Sequence, residues 1–129
     1  MKTIVVIDDD EEFKGALKPH LELLGFEVLC AADGEQGLKL VQQQQPDLVI
    51  TDIIMPGTDG IEMLMALRKS AGYEEPAFAC PIIVMSGGGR IAGKSYLETA
   101  KALGVDAVLE KPFSSRELMS IVDALLTVS

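Results

Sequence analysis

Five short runs of apolar, largely β-branched residues punctuate the chain: TIVVI (3–7), EVLCA (27–31), DLVIT (47–51), PIIVM (81–85) and DAVLE (106–110). Each run is nearly continuous in its hydrophobicity, which suits a strand covered on both faces. Between the runs the apolar spacing changes to a helical period. EEFKGALKPHLELLG (11–25) places Phe13, Leu17, Leu21 and Leu24 on one stripe. Pro19, which lacks a backbone donor, is expected to kink that helix. GEQGLKLVQQQQ (34–45) predicts a second helix with its glutamines as a solvated end. IEMLMALRKS (61–70) predicts a third, with Asp59 as N-cap and Glu62 completing a capping box. GKSYLETAKALG (93–104) predicts a fourth, closed by Gly104. SSRELMSIVDALL (114–126) predicts a fifth, with Ser114 and Glu117 as another capping box.

Strict alternation of strand and helix implies an α/β fold: a parallel sheet between two layers of helices. A common strand order for such a sheet is 2-1-3-4-5. Ligands then bind beyond the carboxyl ends of the strands, where the order reverses. Those ends are polar here. Asp8, Asp9 and Asp10 follow the first run, Thr51 and Asp52 close the third, Ser86 follows the fourth, and Glu110 and Lys111 close the fifth. In the assumed order the first, third, fourth and fifth strands are consecutive neighbours, so these groups share one edge.

Bulk properties narrow the picture. The chain has 129 residues, 48% of them hydrophobic, which is enough for one domain with a proper core. No repeat or linker divides it. The net charge of −9 argues against direct binding to nucleic acid or to an anionic membrane. The N-terminus meets acid after four apolar residues, too soon for a signal peptide or a membrane span, so a cytoplasmic location is expected. Cys30 and Cys80 sit in or beside apolar runs and are expected to be free thiols. His20, the single histidine, is expected to be solvated or partly packed.

One acid at a strand end is ordinarily a helix cap, and Asp10, ahead of Glu11 and Glu12, suits that role. Acids converging from two strands are different. Neighbouring strands are roughly 4.8 Å apart, so Asp9 and Ser86 would flank Asp52 with short side chains. Lys111, two strands away at roughly 10 Å, would need its full length. Clustered carboxylates repel one another unless a hard divalent cation such as Mg²⁺ sits among them. The metal and Lys111 could together neutralise a phosphoryl group on a central carboxylate. The glycine triplet in VMSGGGRIAGK (84–94) suggests a nucleotide loop at first sight. Counted from Gly89 the spacing to Gly93 is one residue short of G-x-x-x-x-G-K; counted from Gly88 it fits, but the acids that end the first and third runs would repel a nucleotide's phosphates. The glycines are expected to loosen the loop behind Ser86.

The doublet Asp8-Asp9 after IVVI, the run DIIMPGTDG from Asp52 to Gly60, Ser86 after IIVM, and Lys111-Pro112-Phe113 together resemble the receiver domain of two-component response regulators. The resemblance covers the whole chain, 1–129. It implies a flavodoxin-like three-layer αβα sandwich with strand order 2-1-3-4-5. It implies that Asp52 accepts a phosphoryl group from a phosphohistidine on a sensor histidine kinase or a histidine phosphotransfer protein. It assigns Asp9, Asp52 and the backbone carbonyl of Ile54 to Mg²⁺, with Asp8 acting largely through water. Lys111 becomes the phosphate counter-charge, Ser86 the hydroxyl that moves onto the phosphoryl oxygens, and the bond before Pro112 is expected to be cis.

The sequence departs from the family where an aromatic residue often precedes the lysine by three positions. Val108 stands there, which rules out an aromatic rotamer switch at that point. Ile54 and Gly88 offer no polar group to guide an attacking water, so slow self-dephosphorylation is expected. The short tail after the fifth helix suggests a single-domain regulator that acts by docking to an unidentified downstream protein or by relaying phosphate. Three other functions compete. A receiver-fold adaptor that never needs phosphorylation would leave the acidic set idle. A phosphatase of the haloacid dehalogenase type would use Asp8 and Asp10 but gives DIIMPGTDG no role. A flavin-binding flavodoxin relative would want a phosphate loop where this chain places acids, and more than 5% aromatic residues.

Overall fold

The computed structural model describes residues 2–52, 81–86, 105–111 and 113–127. Within them the chain runs β1 (Thr3–Ile7), α1 (Glu11–Leu23), β2 (Glu27–Ala31), α2 (Gly34–Gln44), β3 (Leu48–Asp52), β4 (Ile82–Ser86), β5 (Ala107–Glu110) and a C-terminal helix (Ser115–Thr127). All five expected strands are present. They form one sheet, order β2-β1-β3-β4-β5, with every neighbouring pair parallel. The third and fourth expected helices, 61–70 and 93–104, lie outside the described residues, as do Cys80, the glycine triplet and the rest of the DIIMPGTDG run after Asp52.

The two faces of the sheet follow from the two-residue alternation of strands. Ile4 and Val6 of β1, Leu48 and Ile50 of β3, Ile83 and Met85 of β4 and Leu109 of β5 point the same way. They form one cluster with Leu17 and Leu21 of α1 and Leu118 and Val122 of the C-terminal helix. α2 lies against β1 from the other side: a Cβ on Gly37 would run into the Ile7 side chain, so only glycine lets this helix come so close. Among the described residues no helix is long and apolar enough to cross a membrane.

The strand boundaries move by one residue from expectation at β3, β4 and β5, for a local reason. Asp47 grips the start of β1: its N–H donates to the Thr3 carbonyl at 2.8 Å, and its Oδ2 accepts from the Thr3 N–H at 2.8 Å. Asp106 grips the start of β4 in the same way, donating to the Ile82 carbonyl at 2.9 Å and accepting from the Ile82 N–H at 2.8 Å. Each aspartate spends its side chain on the neighbouring strand instead of beginning its own. Pro81 has no N–H to give, so β4 begins one residue later.

The helix caps agree with the sequence. Asp10 Oδ1 accepts from the Phe13 N–H at 3.1 Å. Ser114 Oγ accepts from the Glu117 N–H at 3.0 Å, while Glu117 Oε1 accepts from the Ser114 N–H at 3.3 Å, a reciprocal capping box. α1 continues through Pro19 and ends earlier than the apolar stripe suggests. Gly25 takes φ +95°, its N–H donates to Glu22, and the Phe26 N–H reaches back to Leu21, which is a Schellman ending. Leu24 is therefore a cap residue, 50% exposed, and not part of the core. The buried stripe of α1 is Lys14, Leu17 and Leu21.

Candidate functional site

The face of the sheet that packs under α1 and the C-terminal helix turns ionic at its carboxyl edge. On β1 the series Ile4, Val6 continues to Asp8, and on β3 the series Leu48, Ile50 continues to Asp52. The register pairs Ile4 with Leu48 and Val6 with Ile50, so Asp8 falls level with Asp52. On β5 the next position after Leu109 on this face is Lys111. Alternation and register thus aim all three groups at one place, although they stand far apart in sequence.

They meet there. The Lys111 ammonium donates to Asp8 Oδ2 at 2.5 Å and to Asp52 Oδ2 at 3.1 Å. Asp8 has no accessible surface, and its Oδ1 accepts from the Asp10 N–H at 2.9 Å. A buried carboxylate needs such partners, because desolvation without them is costly. Asp52 is also buried. Asp9, one step along the chain from Asp8, is exposed. One oxygen from each of Asp8, Asp9 and Asp52 lies within 4.8 Å of the others. Three carboxylates against one ammonium leave two negative charges, which a divalent cation with oxygen ligands would balance.

Protonation follows this crowding. Partial burial, together with the fields of Asp8 and Asp52, raises the Asp9 pKa, while a hydrogen bond from its own backbone opposes the rise. For Lys111, burial favours the neutral amine. The hydrogen bond to Asp8 and the fields of Asp52 and Asp8 outweigh it, so the lysine holds its proton more tightly than usual.

An aromatic pair completes the surroundings. The Phe13 ring lies under the Lys111 ammonium, 4.3 Å from nitrogen to centroid. Phe13 in turn meets Phe113 edge to face, with centroids 5.8 Å apart and an interplanar angle of 84°. A cavity of about 220 Å³ opens between α1 and the C-terminal helix, with Phe13, Leu17, His20, Phe113 and Leu118 among its walls. His20, half-buried on the wall of this cavity, has the partly packed setting expected of it.

Among the expected site residues, Asp8, Asp9, Asp52 and Lys111 are brought together. Asp8, expected to act through water, is the carboxylate that the lysine approaches most closely. Ser86 closes β4, one residue past the position paired with Asp52. Ile54 and Pro112 lie outside the described residues. Two residues in or beside the site went unforeseen. Phe13 looked like a core residue of the first helix. Lys14 is buried: its ammonium donates to the Ala31 carbonyl at 3.3 Å and to Glu11 at 3.0 Å. The same Ala31 carbonyl accepts from the Asp8 N–H at 3.0 Å, so Lys14 braces the start of the acidic turn. The spacing 14, 17, 21 is itself a helical stripe and could have revealed that this lysine faces inward.

The chain is similar to known proteins along most of its length. The response regulator receiver domain family matches residues 4–123. The chain is 36% identical over 125 residues to the Cyanophora paradoxa protein named "Probable transcriptional regulator ycf27", covering 97% of this chain and 48% of that protein. A Guillardia theta protein of the same name is 34% identical, with 95% and 44% covered. The chain thus spans about half the length of the curated relatives it matches. Among solved structures, Vibrio cholerae chemotaxis protein CheY4 superposes with a TM-score of 0.82 at 28% identity, covering 98% of this chain and 99% of that one. The receiver domain of the Francisella response regulator 1452 superposes with a TM-score of 0.80 at 32% identity, covering 97% and 96%. With its sheet order, its edge of acids and this match along nearly its whole length, the chain belongs to the response regulator receiver domain family of two-component signalling.

Proposed function

We propose that this receiver is switched by phosphorylation of Asp52. One observation carries the reading: Asp52 is buried at the sheet edge, with the Lys111 ammonium 3.1 Å from one of its oxygens and two further carboxylates beside it. A carboxylate oxygen of Asp52 attacks the phosphorus of a phosphohistidine carried by a sensor histidine kinase or histidine phosphotransfer protein. The P–N bond breaks, and the imidazole leaves with its electron pair and takes up a proton. The product is an aspartyl phosphate.

Asp9, Asp52 and the backbone carbonyl of Ile54 would hold Mg²⁺, with Asp8 contributing through water. When bound, the metal supplies positive charge to the phosphoryl oxygens. Lys111 supplies the second positive charge, already on the site and held protonated by Asp8. Ser86 would hydrogen-bond the phosphoryl group. Val108, opposite Val84 in the sheet, cannot act as an aromatic switch, so the response would travel through the residues that follow Ser86. In this reading one receiver domain spans 1–129, works in the cytoplasm and catalyses only its own phosphorylation and slow dephosphorylation. Its phosphorylated form alters docking to a downstream protein or passes the phosphate on.

The test is incubation with acetyl phosphate and Mg²⁺ followed by intact-mass measurement. Wild type should gain one phosphoryl group, and Asp52→Asn none. Equal incorporation in both proteins would move the acceptor elsewhere, and none in wild type would favour an adaptor that works without phosphate.

A further inference from the structure

We infer that Phe13 is a positioning residue for Lys111, fixing the ammonium over the phosphorylation site through the face of its ring. The inference rests on the reading of Lys111 as the phosphate counter-charge and adds a group to that machinery.

The argument begins with what holds Lys111. Among the described residues its ionic partners are Asp8 and Asp52. A flexible four-carbon stem held only by charges can follow whichever charge moves. The phosphoryl group on Asp52 would be such a charge. Phe13 supplies a partner whose position does not depend on phosphorylation: its ring centroid is 4.3 Å from the ammonium, well within cation–π range.

The ring is itself held. Phe113, two residues after Lys111, meets it edge to face. The Phe13 N–H donates to the Asp10 cap, and the Asp10 N–H donates to Asp8 Oδ1. Asp8 Oδ2 accepts from Lys111, and Lys111 rests on Phe13. These four contacts close a circuit: Asp8 to Asp10, Asp10 to Phe13, Phe13 to Lys111, Lys111 back to Asp8. The helix cap is thereby tied to the counter-charge. An aliphatic side chain at position 13 could fill the same space but would offer no negative face to the cation.

Three measurements separate positioning from packing. In wild type, the Cε protons of Lys111 should resonate upfield of the other lysines because of the ring current. In Phe13→Leu that shift should vanish, and phosphorylation by acetyl phosphate with Mg²⁺ should slow about threefold to tenfold, in keeping with a partly desolvated cation–π contact. Phe13→Tyr, which keeps the aromatic face, should restore both. Fluorinated phenylalanines placed at position 13 keep the shape and weaken the face, so the rate should fall as fluorines are added.

A wild-type Lys111 resonance that coincides with the other lysines would overturn the inference, whether or not Phe13→Leu folds. Equal rates for Phe13→Leu and wild type would also overturn it, as would equal slowing in Leu and Tyr variants. Failure of wild type to accept phosphate at all would instead overturn the functional reading. The resonance would then still decide whether Phe13 holds the lysine.

Discussion

The middle of β1 and the aspartate that follows it are equally buried and oppositely built. Ile4, Val5, Val6 and Ile7 are at most 1% exposed, and Asp8, the next residue, is not exposed at all. The middle is held by removal of apolar area from water, a force without direction that tolerates similar shapes. The edge is held by named partners: Asp8 with Lys111 and the Asp10 N–H, and Asp52 with Lys111. Burial therefore measures different things at two points a few residues apart on one strand. In the middle it is a source of stability. At the edge it is a cost, offset only while each charge keeps its counterpart.

Leu21→Ala should separate the two regions most sharply. Leu21 is fully buried under the sheet, so its truncation should cost about 3 kcal/mol, the usual scale for an unfilled core cavity. Urea unfolding followed by circular dichroism measures that loss. The folded fraction should still accept phosphate, because the edge is intact. Loss of phosphorylation in protein that is still folded would mean that the two regions are not separable.

Lys111→Met attacks the edge alone. It leaves Asp8 buried without its cation, a penalty of about 2 kcal/mol after discounting for the partial exposure of the lysine. The pH dependence has a definite sign. The folded chain holds the Lys111 proton more tightly than the unfolded chain does, so the contribution is complete below the ordinary lysine value of 10.5. It fades as pH rises through the higher folded value. Wild type should lose stability in that alkaline window more steeply than the variant. Parallel pH profiles would show that the pair contributes nothing net.

Asp9→Asn is the mildest change and runs in the opposite direction. Partial burial, and after it the fields of Asp8 and Asp52, raise the pKa of the Asp9 carboxylate. Removing its charge should stabilise the metal-free protein by about 0.5 kcal/mol, the scale of an exposed charge pair. It should weaken Mg²⁺ binding at the same time. Thermal melts with and without Mg²⁺ would show the effect, and a variant less stable than wild type in chelator would contradict the repulsion argument.

Legibility from sequence divides along the same line. The middle could be read from periodicity, because a run such as TIVVI has few other uses, and the caps Asp10 and Ser114 could be read from spacing. The strand starts could not be read to the residue. Asp47 and Asp106 follow the apolar pattern into the strand but spend their side chains on a neighbour. At the edge, residue types and family order identified Asp8, Asp9, Asp52 and Lys111. The ranking of Asp8 over Asp9 as the partner of Lys111 depends on which face of β1 each one follows. The contact between Phe13 and Lys111 joins the first helix to the far strand, and no local rule foretells it.

The twin aspartate grips at the amino ends of β1 and β4 bear on all of this from the opposite margin of the sheet. A slip of one residue between strands would turn every side chain to the reverse face, sending Asp52 away from Lys111 and an uncharged neighbour, Thr51 or Ile53, into its place. Asp47 and Asp106 act as stops against that slip. Charge can then be added and removed at one hem of the sheet while the weave stays in step.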